Sequence, residues 1–237
     1  MDLYKKQLER IDEELITLPQ GHLGRKKNYY QHIIKGEKTG ITRNKELIRQ
    51  LARKAYLLTS KAQLENNISN PLSEFNFSTA RELISLLPYA YKDLPESYFY
   101  HPSIEGWLAA NYKKNTINQE QAEYNSSNDI EFRSLAERTI AEILAEYGLP
   151  YFYDVVIRIG GREVSPDFII KNPFTGETYI WEHFGAFNQE GYEASMNNKM
   201  NRYMNNGLIP NENLISTYKY HIQNTQRIRD LIEQIIL

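Results

Sequence analysis

Apolar residues near the start of the chain recur three or four positions apart, which is the spacing of one face of a helix. Leu8, Ile11 and Leu15 follow this pattern and predict an amphipathic helix over residues 2–18, ended by Pro19. A weak two-residue alternation then runs over residues 23–34. It predicts the first arm of a small β-hairpin.

The hairpin is predicted to turn at residues 36–40 and to return through Ile41 and Thr42. Helical spacing resumes over residues 43–66, where Leu47, Ile48 and Leu51 begin an apolar stripe. A capped helix from Ser78-Thr79 to Leu87 and a short helix over 107–112 complete a mainly helical first region.

Residues 113–129 contain many Asn, Gln and Ser residues and few apolar ones, which is typical of a linker. We therefore expect a mainly helical basic region over residues 1–112, a linker over 113–129, and a second domain over 130–237.

The second domain begins with an apolar stripe over residues 130–147 that predicts a helix ended by Gly148. Strands are predicted next, as β-branched and aromatic runs separated by Gly and Pro, and the chain ends in an apolar helix. The predicted strands cover residues 151–159, 164–171, 178–184 and 213–217, with a turn at Gly160-Gly161, and the last helix covers 220–237. Helices flanking a mixed sheet define an α/β domain.

Two carboxylates interrupt the apolar strands of this domain, Asp167 in the second and Glu182 in the third. A carboxylate in a buried strand is costly unless it is paired or binds a cation. Carboxylate oxygens are hard ligands suited to magnesium or manganese. The alternative is that Asp167 ends a turn after Pro166 and that Glu182 lies at a strand edge.

These residues resemble the PD-(D/E)xK nuclease superfamily, which has the restriction-endonuclease-like fold. The matching residues are Pro166-Asp167, Glu182, and Glu137 on the preceding helix. The resemblance covers roughly residues 130–217. It implies a restriction-endonuclease-like mixed sheet flanked by helices.

Within the superfamily, the chain is most similar to a branch whose second strand reads W-E-H-x-G, here residues 181–185. It departs from the superfamily pattern at Phe184, where a lysine is expected. A lysine can instead come from the following segment, because Tyr192, Met196, Lys199 and Tyr203 share one face of a predicted helix.

That helical face is otherwise apolar, so we expect it to pack on the sheet and to carry the Lys199 ammonium towards the two carboxylates. The resemblance implies that Lys199 replaces the missing lysine. The alternative is a lysine whose stem covers apolar surface while its charge stays in water. Tyr203 and Tyr192 are interpreted as packing residues.

The resemblance also implies the chemistry, which is hydrolysis of a phosphodiester with a magnesium or manganese ion. Asp167, Glu182 and the main-chain carbonyl of His183 would hold the ion, and Glu137 would reach it through water or bind a second ion. Lys199 would orient the attacking water or offset charge on the phosphorus. For Glu137 the alternative is an ordinary surface glutamate.

The charge is distributed unevenly, although the formal net charge of the 237 residues is only −2. Residues 21–61 hold eleven Lys or Arg and two acids, whereas residues 120–198 hold five Lys or Arg and fourteen acids. The first segment is interleaved with aromatic residues, which predicts contact with a nucleic-acid backbone. The candidate contact residues are Arg25, Lys26, Lys27, Lys35, Arg49, Arg53 and Lys54, of which the last three fall off the apolar stripe. The alternative is a solvated charged face.

The remaining composition limits the protein class. The chain has no cysteine, which excludes disulfides and thiolate metal sites, and no apolar run approaches about 18 residues. The N-terminus lacks the apolar stretch of a signal peptide. We therefore expect a cytoplasmic protein without a membrane span.

We expect a metal-dependent nuclease whose partner is DNA, with a role in restriction, phage defence or repair that the resemblance implies. Two alternatives stay open, which are a catalytically inactive nucleic-acid-binding protein on the same fold and an RNA nuclease. The first is motivated by Phe184 in the lysine position. The sequence also leaves open a homodimer.

Overall fold

The structure is a computed structural model that describes residues 2–70, 78–115, 124–125, 130–185 and 191–237. It divides into two compact units, Met1–His101 and Pro102–Leu237. Most of the segment predicted as a linker, namely 116–123 and 126–129, lies outside the described residues. Among the described helices, none is long and apolar enough to cross a membrane.

The first unit contains three α-helices among its described residues. They are α1 (Asp2–Thr17), α2 (Lys45–Ser69) and α3 (Ala80–Leu86). Asn44 caps α2 by accepting the Leu47 N–H, and Thr79 caps α3 in a capping box with Glu82. All three helices were predicted, but α2 extends three residues beyond the predicted end.

The segment predicted as a single hairpin forms a three-stranded antiparallel sheet. Its strands are β1 (His22–Lys26), β2 (Tyr29–Ile34) and β3 (Glu37–Gly40), in that order. The segment predicted as a turn is therefore a strand. The actual turns use Lys27 and Lys35 with positive φ values of 53° and 49°. Non-glycine residues rarely adopt this conformation, so the sequence did not indicate the turn at Lys27, and the turn predicted over 36–40 overlaps the actual one only at Gly36.

Arg53 lies inside the first unit, which corrects the prediction that it falls off the apolar stripe. Its side chain is 4% exposed and forms two hydrogen bonds with the Glu14 carboxylate, at 2.7 and 2.8 Å. A third bond, of 2.8 Å, reaches the Phe99 carbonyl. The buried face of α2 includes Ala52, Arg53 and Tyr56, because this helix packs against both α1 and the segment around Phe99.

The second unit alternates helices and strands around one sheet. Its described elements are α4 (Ser103–Leu108), β4 (Tyr124–Asn125), β5 (Glu131–Phe132), α5 (Leu135–Glu146), β6 (Tyr151–Tyr153), β7 (Ile157–Ile159), β8 (Arg162–Val164), β9 (Phe168–Lys171), β10 (Thr178–Phe184), α6 (Tyr192–Met204), β11 (Leu214–Tyr218), α7 (Lys219–Ile222) and α8 (Gln226–Leu231), which continues into a π-helical turn (Ile232–Ile236).

The main sheet has the strand order β11-β10-β9-β6. β10 is parallel to β11 and antiparallel to β9, which is in turn antiparallel to β6. The β7–β8 and β4–β5 pairs form separate two-stranded sheets. The expected mixed sheet of an α/β domain is therefore confirmed.

The two faces of the main sheet have separate hydrophobic cores. On one face Trp181 packs with residues of α5 and α8, including Ile140 and Ile228. On the other face Ile180 packs with Tyr203 of α6. This alternation follows from the two-residue period of a strand, and it places Glu182 on the α6 face together with Ile180.

Several predicted elements are shorter than expected. The strand predicted over 151–159 is divided at Asp154, whose φ is 49°, and the strand predicted over 164–171 begins only at Phe168. The helix predicted from residue 130 begins at Leu135, because 131–132 form β5. Apolar periodicity does not distinguish a buried strand from the first turn of a helix.

Two helices also differ from their predicted positions. The short helix expected over 107–112 lies at Ser103–Leu108. The C-terminal helix expected over 220–237 is broken into α7, α8 and the π-helical turn, with the break at 223–225.

The buried ion pair of the first unit predicts a stability effect. Arg53→Ala should lower the free energy of unfolding by about 3 kcal/mol, because it leaves the Glu14 carboxylate without its partner. Lys45→Ala, at an exposed position of the same helix, should change it by less than about 0.5 kcal/mol. Urea unfolding followed by circular dichroism measures both. Equal effects of the two substitutions would contradict a structural role for Arg53.

Candidate functional site

Asp167 and Glu182 lie side by side at the end of the β9–β10 pair. Phe168 of β9 is paired with Trp181 of β10. Because the two strands are antiparallel, the residue before Phe168, Asp167, lies opposite the residue after Trp181, Glu182. Their exposures are 7% and 2%. The structure therefore brings together the two carboxylates that the sequence singled out, and it buries both.

Protein donors bind both oxygens of Asp167. The main-chain N–H of His183 donates to Oδ2 at 2.6 Å, and Arg133 Nη2 donates to Oδ1 at 3.3 Å. Burial raises the pKa of Asp167, while the positive charge of Lys199 and these hydrogen bonds oppose the increase. Because Asp167 precedes β9 rather than lying within it, its side chain is free to accept an N–H from the neighbouring strand.

Glu182 is bound by two residues of α6. The Lys199 ammonium lies 2.7 Å from the Glu182 carboxylate, and the Tyr203 hydroxyl donates to Oε1 at 2.5 Å. Burial and the negative charge of Asp167 together raise the pKa of Glu182 to about 7, against the opposing effect of Lys199 and the Tyr203 hydrogen bond. The two carboxylates therefore form one electrostatic unit.

The predicted helical face is confirmed in α6, since it carries Lys199 and Tyr203 one turn apart onto the sheet. Lys199 also donates to the Ser165 carbonyl at 3.0 Å. Its side chain is 29% exposed, so the ammonium lies between the buried carboxylates and solvent. The interpretation of Tyr203 as a packing residue was incomplete, because its fully buried ring also delivers a hydroxyl to Glu182.

Arg133 connects three acidic residues, and the sequence analysis missed it. Its guanidinium lies 3.3 Å from Asp167, 3.5 Å from Asp154 and 3.8 Å from Glu137. It also lies 6.0 Å from the centre of the Tyr153 ring. Nothing in the local sequence indicated this role, because the three acids come from different elements.

Glu137 is buried and serves first as a helix cap. Its carboxylate accepts the Ser134 N–H at 3.0 Å and the Tyr153 hydroxyl at 2.9 Å, and Ser134 in turn accepts the Glu137 N–H. This is a capping box, and its S-x-x-E spacing was a signal in the sequence that could have located the start of α5. Burial raises the pKa of Glu137, and nearby Asp167 adds to the increase.

The side chains of His183 and Phe184 make structural contacts with β11. His183 Nδ1 lies 3.1 Å from the Thr217 hydroxyl, and burial lowers the pKa of the imidazole to about 4. Phe184 is 5% exposed and its ring packs against Tyr218 at 5.8 Å. The position where a lysine was expected is thus an apolar contact between β10 and β11.

The site offers two carboxylates, Asp167 and Glu182, to a magnesium or manganese ion. The described residues include no group of three or more His, Cys, Asp or Glu side chains arranged to hold a metal. Magnesium, however, is commonly bound through one or two carboxylates and keeps waters or phosphate oxygens in its other positions. Asp167 and Glu182 supply two carboxylates.

The basic residues of the first unit differ in their surroundings. Lys26, Lys27 and Lys35 are exposed around the turns of the three-stranded sheet. Arg25 forms an ion pair with Asp93, and Lys54 donates to the Pro19 carbonyl at 2.8 Å.

Two further candidates lie on α2. Arg49 is half-buried. Arg53 is buried in its ion pair with Glu14 and is not presented to solvent. Of the candidate contact residues, the three that are exposed are therefore those at the β-turns, Lys26, Lys27 and Lys35.

Comparisons with protein-family models, with curated proteins and with solved structures find no match to this chain.

Two substitutions test whether the Glu137 carboxylate stabilises the protein as part of the capping box. Glu137→Ala should lower the free energy of unfolding by about 1–2 kcal/mol, because the Ser134 N–H and the Tyr153 hydroxyl lose their acceptor. Glu137→Gln should retain most of the stability, since glutamine also closes a capping box. Thermal and urea unfolding of both variants measure this. A glutamine variant as unstable as the alanine variant would contradict the capping role.

Proposed function

We propose that this protein is a metal-dependent nuclease that hydrolyses phosphodiester bonds, acting on DNA as an endonuclease. The second unit would be the catalytic domain of the restriction-endonuclease-like type. The fold supports this reading only in its coarse form, as a mixed sheet flanked by helices. A role in restriction, phage defence or repair is carried by the sequence resemblance alone.

The observation that carries the proposal is the contact between Lys199 and Glu182 beside Asp167. The Lys199 ammonium lies 2.7 Å from the Glu182 carboxylate, and the β9–β10 register sets the buried Asp167 opposite Glu182. Burial of two adjacent like charges costs free energy, which a purely structural role could avoid with apolar residues. Strongly perturbed carboxyl groups of this kind are concentrated at functional sites.

In the proposed mechanism, Asp167, Glu182 and the main-chain carbonyl of His183 would hold a magnesium or manganese ion, and Glu137 would contribute through water. The ion, when bound, supplies positive charge that polarises a phosphoryl oxygen and lowers the pKa of a water molecule. Lys199 orients the attacking water or offsets the negative charge that develops at the phosphorus.

The neighbouring residues hold these groups in position. The Tyr203 hydroxyl keeps the Glu182 carboxylate in one orientation, and the His183 N–H does the same for Asp167. Arg133 balances the negative charge of Asp167 and of two more distant acids. A site held by buried hydrogen bonds needs little reorganisation during a reaction.

The first unit would bind the nucleic-acid substrate. Lys26 and Lys27 extend from one turn of its sheet and Lys35 from the other, and all three are exposed. Exposed lysines attract phosphates without regard to base sequence. This unit is therefore proposed to bind the nucleic-acid backbone.

A second candidate function is a nucleic-acid-binding protein that has lost catalysis. Phe184 favours it, because that position is buried beside Tyr218 and supplies no amine. The two functions differ in their response to metal. A binding protein would have no specific divalent-ion site and would not cut nucleic acid with any ion.

Substitutions at the site test catalysis directly. Asp167→Asn keeps the shape of the side chain and an acceptor for the His183 N–H, but we expect it to reduce Mg²⁺- or Mn²⁺-dependent nicking of supercoiled plasmid by about a thousandfold. Lys199→Met should reduce it by about a hundredfold or more. Glu193→Gln, at an exposed position of the same helix, should leave it unchanged.

Undiminished nicking by the folded Asp167→Asn protein would refute the assignment. Calorimetric titration with Mn²⁺ provides a readout independent of cleavage, since Asp167→Asn should weaken binding to the parent protein's site. Absence of both binding and cleavage in the parent would favour the non-catalytic candidate. Parallel assays with RNA distinguish a ribonuclease.

If the exposed lysines of the first unit bind phosphates, replacing them should change the salt dependence of DNA binding. If Lys26 and Lys27 both contact phosphates, replacing both with alanine should reduce the slope of log K against log salt concentration by about 1.8 for duplex DNA. The matched control replaces Lys5 and Lys6, an adjacent exposed pair on α1. Fluorescence anisotropy over a series of salt concentrations measures both. Equal slopes for the two double variants would rule out a specific role for this turn.

A further inference from the structure

A shallow, wide-open groove of about 540 Å³ lies on the surface of the second unit where β11 ends and α7 begins. It is lined by Tyr218, Lys219, Tyr220 and Gln223, and we call it the Tyr220 groove. Neither the sequence analysis nor the proposed mechanism uses these residues. Its lining combines aromatic rings with a cation and an amide.

Part of the aromatic surface of the groove is exposed to solvent. Tyr220 is 51% exposed, although it is a large aromatic side chain at the junction of two elements. Its ring is nearly parallel to that of Tyr218, at an angle of 11° and a centroid distance of 6.0 Å. The exposed part of the Tyr220 ring is available to a planar ligand, whereas Tyr218 is half-buried against Phe184.

Neighbouring residues hold the rings in place. The His221 ring lies 4.0 Å from the Tyr220 ring, and its Nδ1 accepts the Tyr218 N–H at 3.0 Å. The Arg227 guanidinium lies 5.5 Å from the Tyr220 ring centre, in range of a cation–π interaction. Ordered rings lose little conformational entropy when a ligand stacks on them.

The polar groups around the rings indicate an anionic ligand. Lys219 and Gln223 are exposed at the edge of the groove, and Arg227 adds a second positive charge next to Tyr220. An aromatic face with adjacent cations is the combination that binds single-stranded nucleic acid, because bases stack and phosphates meet the cations.

The groove lies close to the candidate catalytic residues along the sheet. Tyr218 is paired with Phe184 in the parallel β10–β11 pair, and Phe184 follows Glu182 by two residues. Two residues of a strand span about 7 Å. A strand of nucleic acid whose phosphate reaches the carboxylates would therefore have an adjacent nucleotide near the groove.

We propose that the Tyr220 groove binds one unpaired nucleotide of a nucleic-acid strand, with its base stacked on Tyr220 and its phosphate beside Lys219. This inference rests on the proposed nuclease function for its substrate class. It adds that the substrate presents a single-stranded or unstacked nucleotide next to the cleaved bond.

The experiment measures binding without catalysis. The full chain carrying Asp167→Asn is titrated in EDTA with a ten-nucleotide single-stranded DNA that contains one 2-aminopurine, whose fluorescence is quenched on stacking. Adding Tyr220→Ala should raise the Kd about 5- to 140-fold and remove the quenching. Tyr220→Phe retains the ring and should stay within about twofold of the parent.

Two controls separate the groove from general electrostatic attraction. A blunt duplex of the same length has no unpaired base, so Tyr220→Ala should change its Kd by less than about twofold. Lys219→Glu keeps both rings and should weaken single-strand binding without removing the quenching. Thermal unfolding confirms that each variant is folded.

The proposal is overturned if folded Tyr220→Ala binds the single strand as tightly as its parent, if it loses duplex and single strand equally, or if the parent does not bind single strands. It is also overturned if sedimentation reveals a dimer that Tyr220→Ala dissociates, since the groove would then hold a second copy of the chain. Plasmid nicking by the chain with Asp167 intact is scored separately. If the protein nicks plasmid but Tyr220→Ala does not weaken single-strand binding, only the groove proposal is refuted. If Tyr220→Ala weakens single-strand binding but the protein does not nick plasmid, only the nuclease proposal is refuted.

Discussion

The second unit depends on how it accommodates two carboxylates buried side by side. Asp167 and Glu182 are 7% and 2% exposed, and each would repel the other if nothing offset their charge. The chain offsets it with one ammonium, one guanidinium, one phenolic hydroxyl and one main-chain N–H. Each donor comes from an element other than the one that carries the carboxylate it contacts, so the packing of strands and helices is tied to this single charged centre.

Arg133 extends this constraint beyond the two carboxylates. It precedes α5, whose start is set by the Ser134–Glu137 capping box, and it reaches Asp154 at a strand break where φ is positive. A non-glycine residue in this conformation costs free energy and persists only where its surroundings hold it. The cap and the strand break therefore meet at one guanidinium, which explains why both occur next to the candidate site.

Placement of the amine shows what a sequence pattern can and cannot specify. The four- and three-residue spacing within α6 correctly predicted that Lys199 and Tyr203 lie on one face, because helical geometry is local. It did not indicate that the Tyr203 hydroxyl would bind Glu182, since a buried tyrosine in a packed face and one that donates a hydrogen bond have the same spacing. Likewise, Arg53 looked like a solvent-facing residue of α2, and only the approach of α1 made its position an interior one.

By itself, the sequence determined local features of this protein, namely the helices α1 and α2, β10, the β9–β10 hairpin with its two carboxylates, and the lysine on the following helix. These follow from periodicity and turn residues, whose effects act over a few positions. Tertiary structure alone decided that Arg133 joins three acids, that strand 151–159 breaks at Asp154, and that the exposed Tyr220 ring stacks on Tyr218. Each of these depends on groups that are distant in sequence or on a backbone conformation that is unfavourable in isolation, and neither leaves a periodic signal in the chain.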